Sequence, residues 1–372
     1  MYFPFCPNPR CPTHSTGGWT QDSYYLFGTY ETQSAGLITR YRCKTCGRSF
    51  SWRTFHLSYY TKRMVNFNDI FVRFSQRQSL SGIARSLGLQ PKLVQNRLER
   101  LGRNSVALHC TLEATRPLQE DLCADGFESF DYSQYFPNNI NILVGTKSQH
   151  LYSFSHGSMR RKGRMTADQK LKRIFLDQCW PRRKHAMRDA FQRAIQVITQ
   201  KWDRTKFPYL ILRTDEHPAY PKAIARVGLR REDGFVHHRT PSVLPRTVSN
   251  PLFPVNYMDR ELRKDIAAYA RETLCHTRNV ANGLLRLAVY MAWHNYWKPF
   301  RISWGRQREV APHGVESGID PLLMEKKKRS FFSQRYFLMK TELEGWASDV
   351  WFKRKLTPLK RSSEYLPAFV YV

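Results

Sequence analysis

The sequence predicts a multidomain chain. Two small modules, one a β hairpin and one helical, precede a larger α/β core with a mixed sheet flanked by helices. Three observations predict this. Four of the eight cysteines fall within residues 1–58, around two strand-like runs. Residues 59–105 carry helical periodicity with turn punctuation in the middle. From about residue 115 to 300, apolar runs too short for helices alternate with amphipathic segments, which is the α/β pattern. Residues 301–372 mix basic clusters with Trp and Phe, and the pattern assigns them no fold.

Composition bounds the partners. The 372 residues suffice for two or three domains, and 41% hydrophobic with 14% aromatic residues is a globular composition. Lys and Arg number 60 against 30 acids, a formal net charge of +30 spread along the whole chain. A polyanionic partner explains such an excess most simply, with nucleic acid ahead of a membrane surface. The first residues lack the basic and apolar regions of a signal peptide, and no run approaches the ~18 apolar residues of a membrane span. The expectation is a cytosolic protein with reduced thiols, whose cysteines bind metal or pack in the core.

Each element can be justified in order. Cys6 and Cys11 form a C-x4-C pair, and Cys43 and Cys46 form C-x2-C followed by Gly47. Tyr24 to Tyr30 and Leu37 to Arg42 read as the strands of a hairpin that brings the two cysteine turns together. Four thiolates so placed suit one tetrahedral Zn2+, which would supply the folding energy that so small a segment lacks. His14 and His56 are available as substitutes, although four cysteines fill the shell. Next, Leu80 to Leu98 has the punctuation of a helix-turn-helix: Ala84 where helices would cross, Gly88 at the turn, Pro91 in the first turn of a second helix. Leu93, Val94 and Leu98 give that helix an apolar face. Lys92, Gln95, Asn96, Arg97 and Arg100 form its polar side and are candidate DNA contacts, since Arg, Asn and Gln read base edges in the major groove.

In the α/β region a first strand carries Asp125, followed by Gly126. After a turn signal at Pro137, Ile140–Val144 and Gln149–Ser155 read as two further strands of an antiparallel meander. Residues 158–188 are intensely basic; they read as a solvated face or as a nucleic-acid contact. A helix from about His185 to Lys201 leads to a buried strand, Tyr209–Leu212, with Asp215 at its mouth, where open α/β sheets present their chemistry. A short helix (Tyr220–Val227) and a short strand (Phe235–Arg239) follow, the latter with His237 and His238 as structural or phosphate-facing residues. Residues 255–297 read as a long helical region. Its Val255, Leu262, Ile266 and Tyr269 share one face. Asp259 sits at the edge of that face, and Glu261 points almost oppositely, toward water. An acid at a strand end is often a turn or capping residue. The weight therefore lies on the order in which three acids occur, with Glu261 as the alternative third acid and Glu128 and Asp131 as neighbours of the first. No Gly-rich phosphate loop followed by Lys and Ser or Thr is present, so an ATPase has no support.

That order is a strand with Asp125, two strands, a helix, a strand ending at Asp215, then a helix with Asp259. It is similar to the RNase H-like core of DDE/DDD transposases and retroviral-type integrases. With the zinc ribbon and helix-turn-helix ahead of it, the chain resembles a bacterial insertion-sequence transposase over roughly residues 1–300. Asn256-Tyr-Met-Asp259-Arg-Glu-Leu-Arg263 resembles the last motif of that family, except that most members supply Glu where this chain has Asp259. The resemblance implies Asp125, Asp215 and Asp259 as catalytic ligands of Mg2+ or Mn2+, with a structural Zn2+ on Cys6, Cys11, Cys43 and Cys46. It implies binding to double-stranded DNA, both element terminal repeats and target, by a homo-oligomer with no membrane partner. The chemistry fits the residues independently. Carboxylates are hard oxygen donors suited to these ions, and two ions about 4 Å apart can activate a water or 3′-hydroxyl and stabilise the leaving oxygen. The alternatives are a transposase-derived DNA-binding protein without catalysis and a nuclease that cuts without joining.

Overall fold

The computed structural model describes residues 3–14, 18–114, 116–271, 273–301, 310–343, 345–360 and 366–372. The first module is a three-stranded antiparallel sheet of β1 (Tyr24–Thr32), β2 (Gly36–Cys43) and β3 (Ser49–Phe50), closed by the single turn α1 (Trp52–Phe55). The hairpin runs one or two residues beyond the predicted strands. Its small core is aromatic: Phe3 meets Tyr24, Tyr41, Phe50 and Phe55 at ring distances of 5.0–5.5 Å.

Three helices follow. α2 (Phe67–Ser75) is capped by the Asn66 side chain, and α3 (Leu80–Ser86) by Ser79. Gly88, at φ +61, makes the turn that a β-carbon would oppose, and α4 (Pro91–Glu113) starts on Pro91 as predicted. α4 does not end at residue 105. Its C-terminal half is buried and crosses α9 (Val280–Ala292) so closely that a Cβ on Gly102 would lie 2.5 Å from the Leu285 carbonyl oxygen. One apolar core joins Phe67, Phe71 and Leu98 to Phe127, Ile142 and Val289. The α2–α4 segment, read from sequence as a helix-turn-helix, is thus built into the α/β region rather than carried as a separate bead.

The larger sheet has the order β6-β5-β4-β7-β8. β4 (Leu122–Phe130), β5 (Pro137–Gly145) and β6 (Leu151–Ser158) form the predicted antiparallel meander, and Pro137, read as a turn, opens β5. β7 (Leu210–Thr214) and β8 (Phe235–Arg239) add in parallel. Between the two groups lie α5 (Ala167–Cys179), a helix within the basic run, and α6 (Ala186–Lys201); α7 (Ala219–Val227) joins β7 to β8. Leu122, Ala124, Leu143 and Leu212 pack on α6 and α7 on one face. Cys123, Phe127 and Ile142 pack on the other face against α8 (Phe253–Asp265) and α9.

The predicted helical stretch 255–297 is broken. α8 ends at Asp265, Ala267–Tyr269 is a single 3-10 turn, and α9 begins only at Val280 and ends in the π turn Trp293–Trp297. The C-terminal region is α10 (His313–Glu316), α11 (Pro321–Phe331) and α12 (Gly345–Trp351). It folds back over α4, with Arg103 Nε donating to the Trp351 carbonyl and Asn104 Nδ2 to those of Phe331 and Gln334. Phe337 meets Phe5 and Phe55 of the first module at 4.8 and 5.5 Å. Among the described residues no helix is long and apolar enough to cross a membrane.

Candidate active site and metal centre

The sulfurs of Cys6, Cys11, Cys43 and Cys46 all lie within 4.8 Å of one another, and none is in a disulfide. Cys6 Sγ is 3.6 Å from Cys46 Sγ, and Cys11 Sγ is 3.9 Å from Cys43 Sγ. A tetrahedron with Zn–S bonds of ~2.3 Å has S···S edges of ~3.8 Å, so the donor set fits zinc. Each cysteine turn has its own local cause. Gly47, at φ +70, lets its amide donate to the Cys43 carbonyl, and the Cys11 amide donates to that of Asn8. Neither histidine is needed. His14 Nδ1 is held by the Cys6 carbonyl, and His56 Nδ1 by the Ser58 hydroxyl.

The acids are positioned by register. β4 and β7 pair in parallel with Leu122 opposite Leu212 and Cys123 opposite Arg213. Asp125 and Asp215 each stand two residues beyond Cys123 and Arg213. Side chains alternate along a strand, so Asp125 points with Cys123 to the face that α8 covers, and Asp215 follows directly on the end of the adjacent β7. α8 lies along that face, with Arg263 donating to the Glu128 carbonyl and stacking over Phe127, and it brings Asp259 toward Asp125.

The electrostatics report the convergence. Burial and then the charge of Asp215 push Asp125 up to about 6, even though its Oδ1 accepts from the Gly126 amide at 2.6 Å. Burial and then the charge of Asp125 push Asp259 up to about 8, opposed by Arg263 and Arg246. Asp259 Oδ1 is shut from solvent and has no hydrogen-bond partner. Asp215 Oδ1 accepts from the His217 amide at 2.9 Å. Tyr220 of α7, whose hydroxyl is 3.5 Å from Asp125 Oδ1, is pushed well up by burial and by all three acids. An oxygen without a partner and carboxyls held above their ordinary range mark negative charge that the described side chains compensate only in part. The three are not drawn fully together: among the described residues they are not one of the groups whose donor atoms lie within 4.8 Å of one another.

The other acids are occupied. Glu261 does not meet water; it is buried and paired with Lys264 at 2.8 Å and with Lys298, on the opposite side of α8 from Asp259. Asp131 accepts from Asn138 and pairs with His156 at 2.7 Å, and Glu128 is exposed. His237 bonds the Thr214 hydroxyl at 2.9 Å, a structural role.

The helix-turn-helix residues divide. Lys92 and Asn96 are exposed and Gln95 is half-buried, bonding Glu99. Arg97 and Arg100 are only 4% and 7% exposed. Arg97 donates to the Arg63 carbonyl and Arg100 to that of Leu57, so neither guanidinium projects toward a groove. The helical wheel placed them on the polar side; the preceding segment and the C-terminal region cover that side, and no local signal announces a cover made from distant sequence.

Sequence reasoning missed Tyr220 and Arg246, which flank the acids, and a second buried cluster of His109, Glu113 and His150 with donors within 4.8 Å. The carboxylate of that cluster is already compensated by cations. Glu113 takes two 2.9 Å bonds from Arg116 and one ion pair each from His150 (3.1 Å) and Lys201 (3.5 Å). His109 uses both ring nitrogens, on the Tyr296 hydroxyl and the Tyr152 carbonyl. His150 Nδ1 is buried without a hydrogen-bond partner, so its Nε2 alone is engaged, on Glu113. Comparison with known proteins finds no matching family model and no similar curated protein.

Proposed function

We propose that the chain is a metal-dependent DNA transposase with an RNase H-like catalytic core, cutting DNA at element ends and joining it to a target. The observation that carries this reading is the electrostatic coupling of Asp125 to both Asp215 and Asp259, which approach one another without closing to 4.8 Å. The three acids come from within β4, from the residue that follows the neighbouring β7 and from a facing helix, and two of them are held well above the ordinary carboxylate range. The order of elements is the one the resemblance requires, and the +30 net charge suits a DNA partner.

In this reading the three carboxylates would hold Mg2+ or Mn2+, which supplies Lewis-acid stabilisation of a phosphoryl oxygen and a nucleophile of lowered pKa. The chain's own residues do the rest. The sheet fixes Asp125 and Asp215 side by side, Gly126 holds one oxygen of Asp125, and Arg246 and Arg263 moderate the charge that the acids accumulate. Lys92 and Asn96, at the exposed start of α4, meet duplex DNA, and the zinc module beside them holds its shape through four thiolates. The reading of a DNA-binding protein without catalysis draws on one fact, that the three acids are not gathered within 4.8 Å.

The test is cleavage and strand transfer by the purified chain with Mn2+ on duplexes carrying the DNA that borders its gene. Nicked and joined products that vanish in Asp125→Asn and Asp259→Asn support the proposal. Specific binding without any product, or products that survive both substitutions, would overturn it.

A further inference from the structure

The zinc module, the start of α4 and the segment from residue 366 onward wall a cleft of about 710 Å³ whose lining includes none of the three acids. That size is within the range of ligand clefts, roughly 300–1,000 Å³. Arg10, Arg48, Arg100 and Arg335 reach into it, and no Asp or Glu lines it. Among the described residues no Asp or Glu side chain lies within 4.0 Å of any of these guanidiniums. The positive charge is also packed close. Burial, with the charges of Arg97, Arg335 and Arg103, brings Arg100 down to about 9, and burial brings Arg335 to about 10. The buried pair is bonded to the chain's own oxygens, Arg100 to the Leu57 carbonyl and Arg335 to those of Phe369 and Val372, whereas Arg10 and Arg48 are exposed at the rim and open to an anion from outside.

The second half of the cleft is aromatic. Arg100 stacks over Phe369 at 4.7 Å and Arg335 over Tyr59 at 4.8 Å, which holds both guanidinium planes in place. Beside them Tyr60 is 78% exposed and sits at φ +57, a conformation that costs a non-glycine residue on the order of 1 kcal/mol or more. A large ring held in strain and left in water at the rim of a cationic cleft contributes nothing to the core. Its free face suits stacking. Bases inside a duplex offer no face to a side chain, whereas an unpaired base does.

We propose that this cleft binds single-stranded nucleic acid, with phosphates on the exposed Arg10 and Arg48, the buried Arg100 and Arg335 adding positive charge behind them, and an unpaired base stacked on Tyr60. The inference rests only on the nucleic-acid part of the functional reading and is independent of the three acids.

The test is fluorescence anisotropy of the full-length, zinc-loaded chain, without added Mg2+ or Mn2+. The probes are a labelled 12-nucleotide mixed-sequence single strand and the matching blunt duplex. Tyr60→Gly removes the ring and suits the positive φ; it weakens single-strand binding about 5- to 100-fold and leaves duplex binding within about two-fold. Tyr60→Phe keeps both within about two-fold. The Arg10→Ala, Arg48→Ala double variant, both exposed sites, lowers the salt slope for the single strand by about 1.4. Absence of single-strand binding by the unaltered chain, no effect of Tyr60→Gly, or equal weakening of strand and duplex would each overturn the proposal. Asp259→Asn is the separating control. It is expected to bind the strand as the unaltered chain does; strand binding by an unaltered chain that cleaves nothing with Mn2+ would sink the transposase reading alone.

Discussion

The buried ionisable groups around Glu113 and those around Asp259 are built on opposite principles. Around Glu113, burial works against the charged carboxylate, but Arg116 and His150 outweigh it and hold Glu113 well below the ordinary range. Around Asp259, burial and the charge of Asp125 act in the same direction, the nearest cations oppose them only in part, and the group rises to about 8. Both clusters offer three metal-type side chains. Only one leaves a carboxylate oxygen without a partner. Burial of an acid alone therefore does not mark a site; burial without compensation does.

The sharpest way to break the comparison is to remove one acid from each cluster. Asp259→Asn or Asp125→Asn is expected to lower metal-dependent cleavage by at least about 10³-fold, while thermal unfolding without divalent ions is unchanged or moves up, because like-charge repulsion is relieved. Glu113→Ala is expected to do the reverse. It strands Arg116 and Lys201 beside a void and costs about 3–5 kcal/mol in a urea titration. A stable Glu113→Ala protein, or an Asp259→Asn protein that still cuts, would erase the distinction.

The placement of the three acids on their elements was legible because strand alternation and helical periodicity are local. Asp125 and Asp215 follow from two short apolar runs, and the preference for Asp259 over Glu261 follows from a 3.6-residue period. What lay outside local reach came from packing between distant segments. Nothing around Gly102 says that α9 will press on it, and nothing around Arg97 or Arg100 says that residues 57–63 will cap them. Nor does sequence near Glu261 reveal Lys298, which reaches it from 37 residues away. The break of the helical stretch at Asp265 was missed because the apolar period runs on through Ile266 and Tyr269, which are buried although no longer in the α-helix.

The two clusters also differ in sign against pH. Asp125 and Asp259 have folded values above the ~3.9 of an unfolded Asp, so the folded state binds more protons between about pH 4 and 8. Their contribution is fully present below that window and is lost as pH rises through it. Glu113, held low, contributes stability above its unfolded value of ~4.3 that is lost as pH falls toward its folded one. Urea titrations without divalent ions are expected to lose roughly 1–3 kcal/mol between pH 5 and 8.5, a slope that Asp259→Asn flattens. An equal slope in the variant would mean that other groups cause it.

A smaller effect separates buried from exposed cations on α4. Arg97→Ala is expected to cost roughly 1–2 kcal/mol of stability and to weaken specific and random duplexes alike, since its guanidinium serves the Arg63 carbonyl. Lys92→Ala is expected to leave the melting temperature in place and to reduce the salt slope of duplex binding by about 0.9. Loss of sequence preference in Arg97→Ala would return that residue to the groove.

The smallest effect on activity belongs to Glu261, and it bears directly on which acid of α8 is the ligand. Glu261 and Asp259 are two residues apart, so the helix turns them to nearly opposite sides. Asp259 goes to the sheet, with an oxygen left unpaired; Glu261 goes to Lys264 and Lys298, with Asp265 beside it on the same lysines. Glu261→Gln keeps the shape and removes one charge. Lys298 retains Asp265 at 3.2 Å, so the ammonium is not stranded, and the loss of stability is expected to stay near 1–2 kcal/mol. Cleavage is expected to remain within a few-fold, because nothing that Glu261 touches reaches Asp125 or Asp215. Asp259→Glu makes the complementary change. It restores the residue type usual in the resembling family but adds a methylene where Mg2+ requires oxygens at ~2.0–2.1 Å, so partial activity favoured by Mn2+ is expected. Cleavage abolished in Glu261→Gln while Asp259→Asn stays active would transfer the third ligand to Glu261. That outcome would require Lys264 and Lys298 to release it when the metal binds.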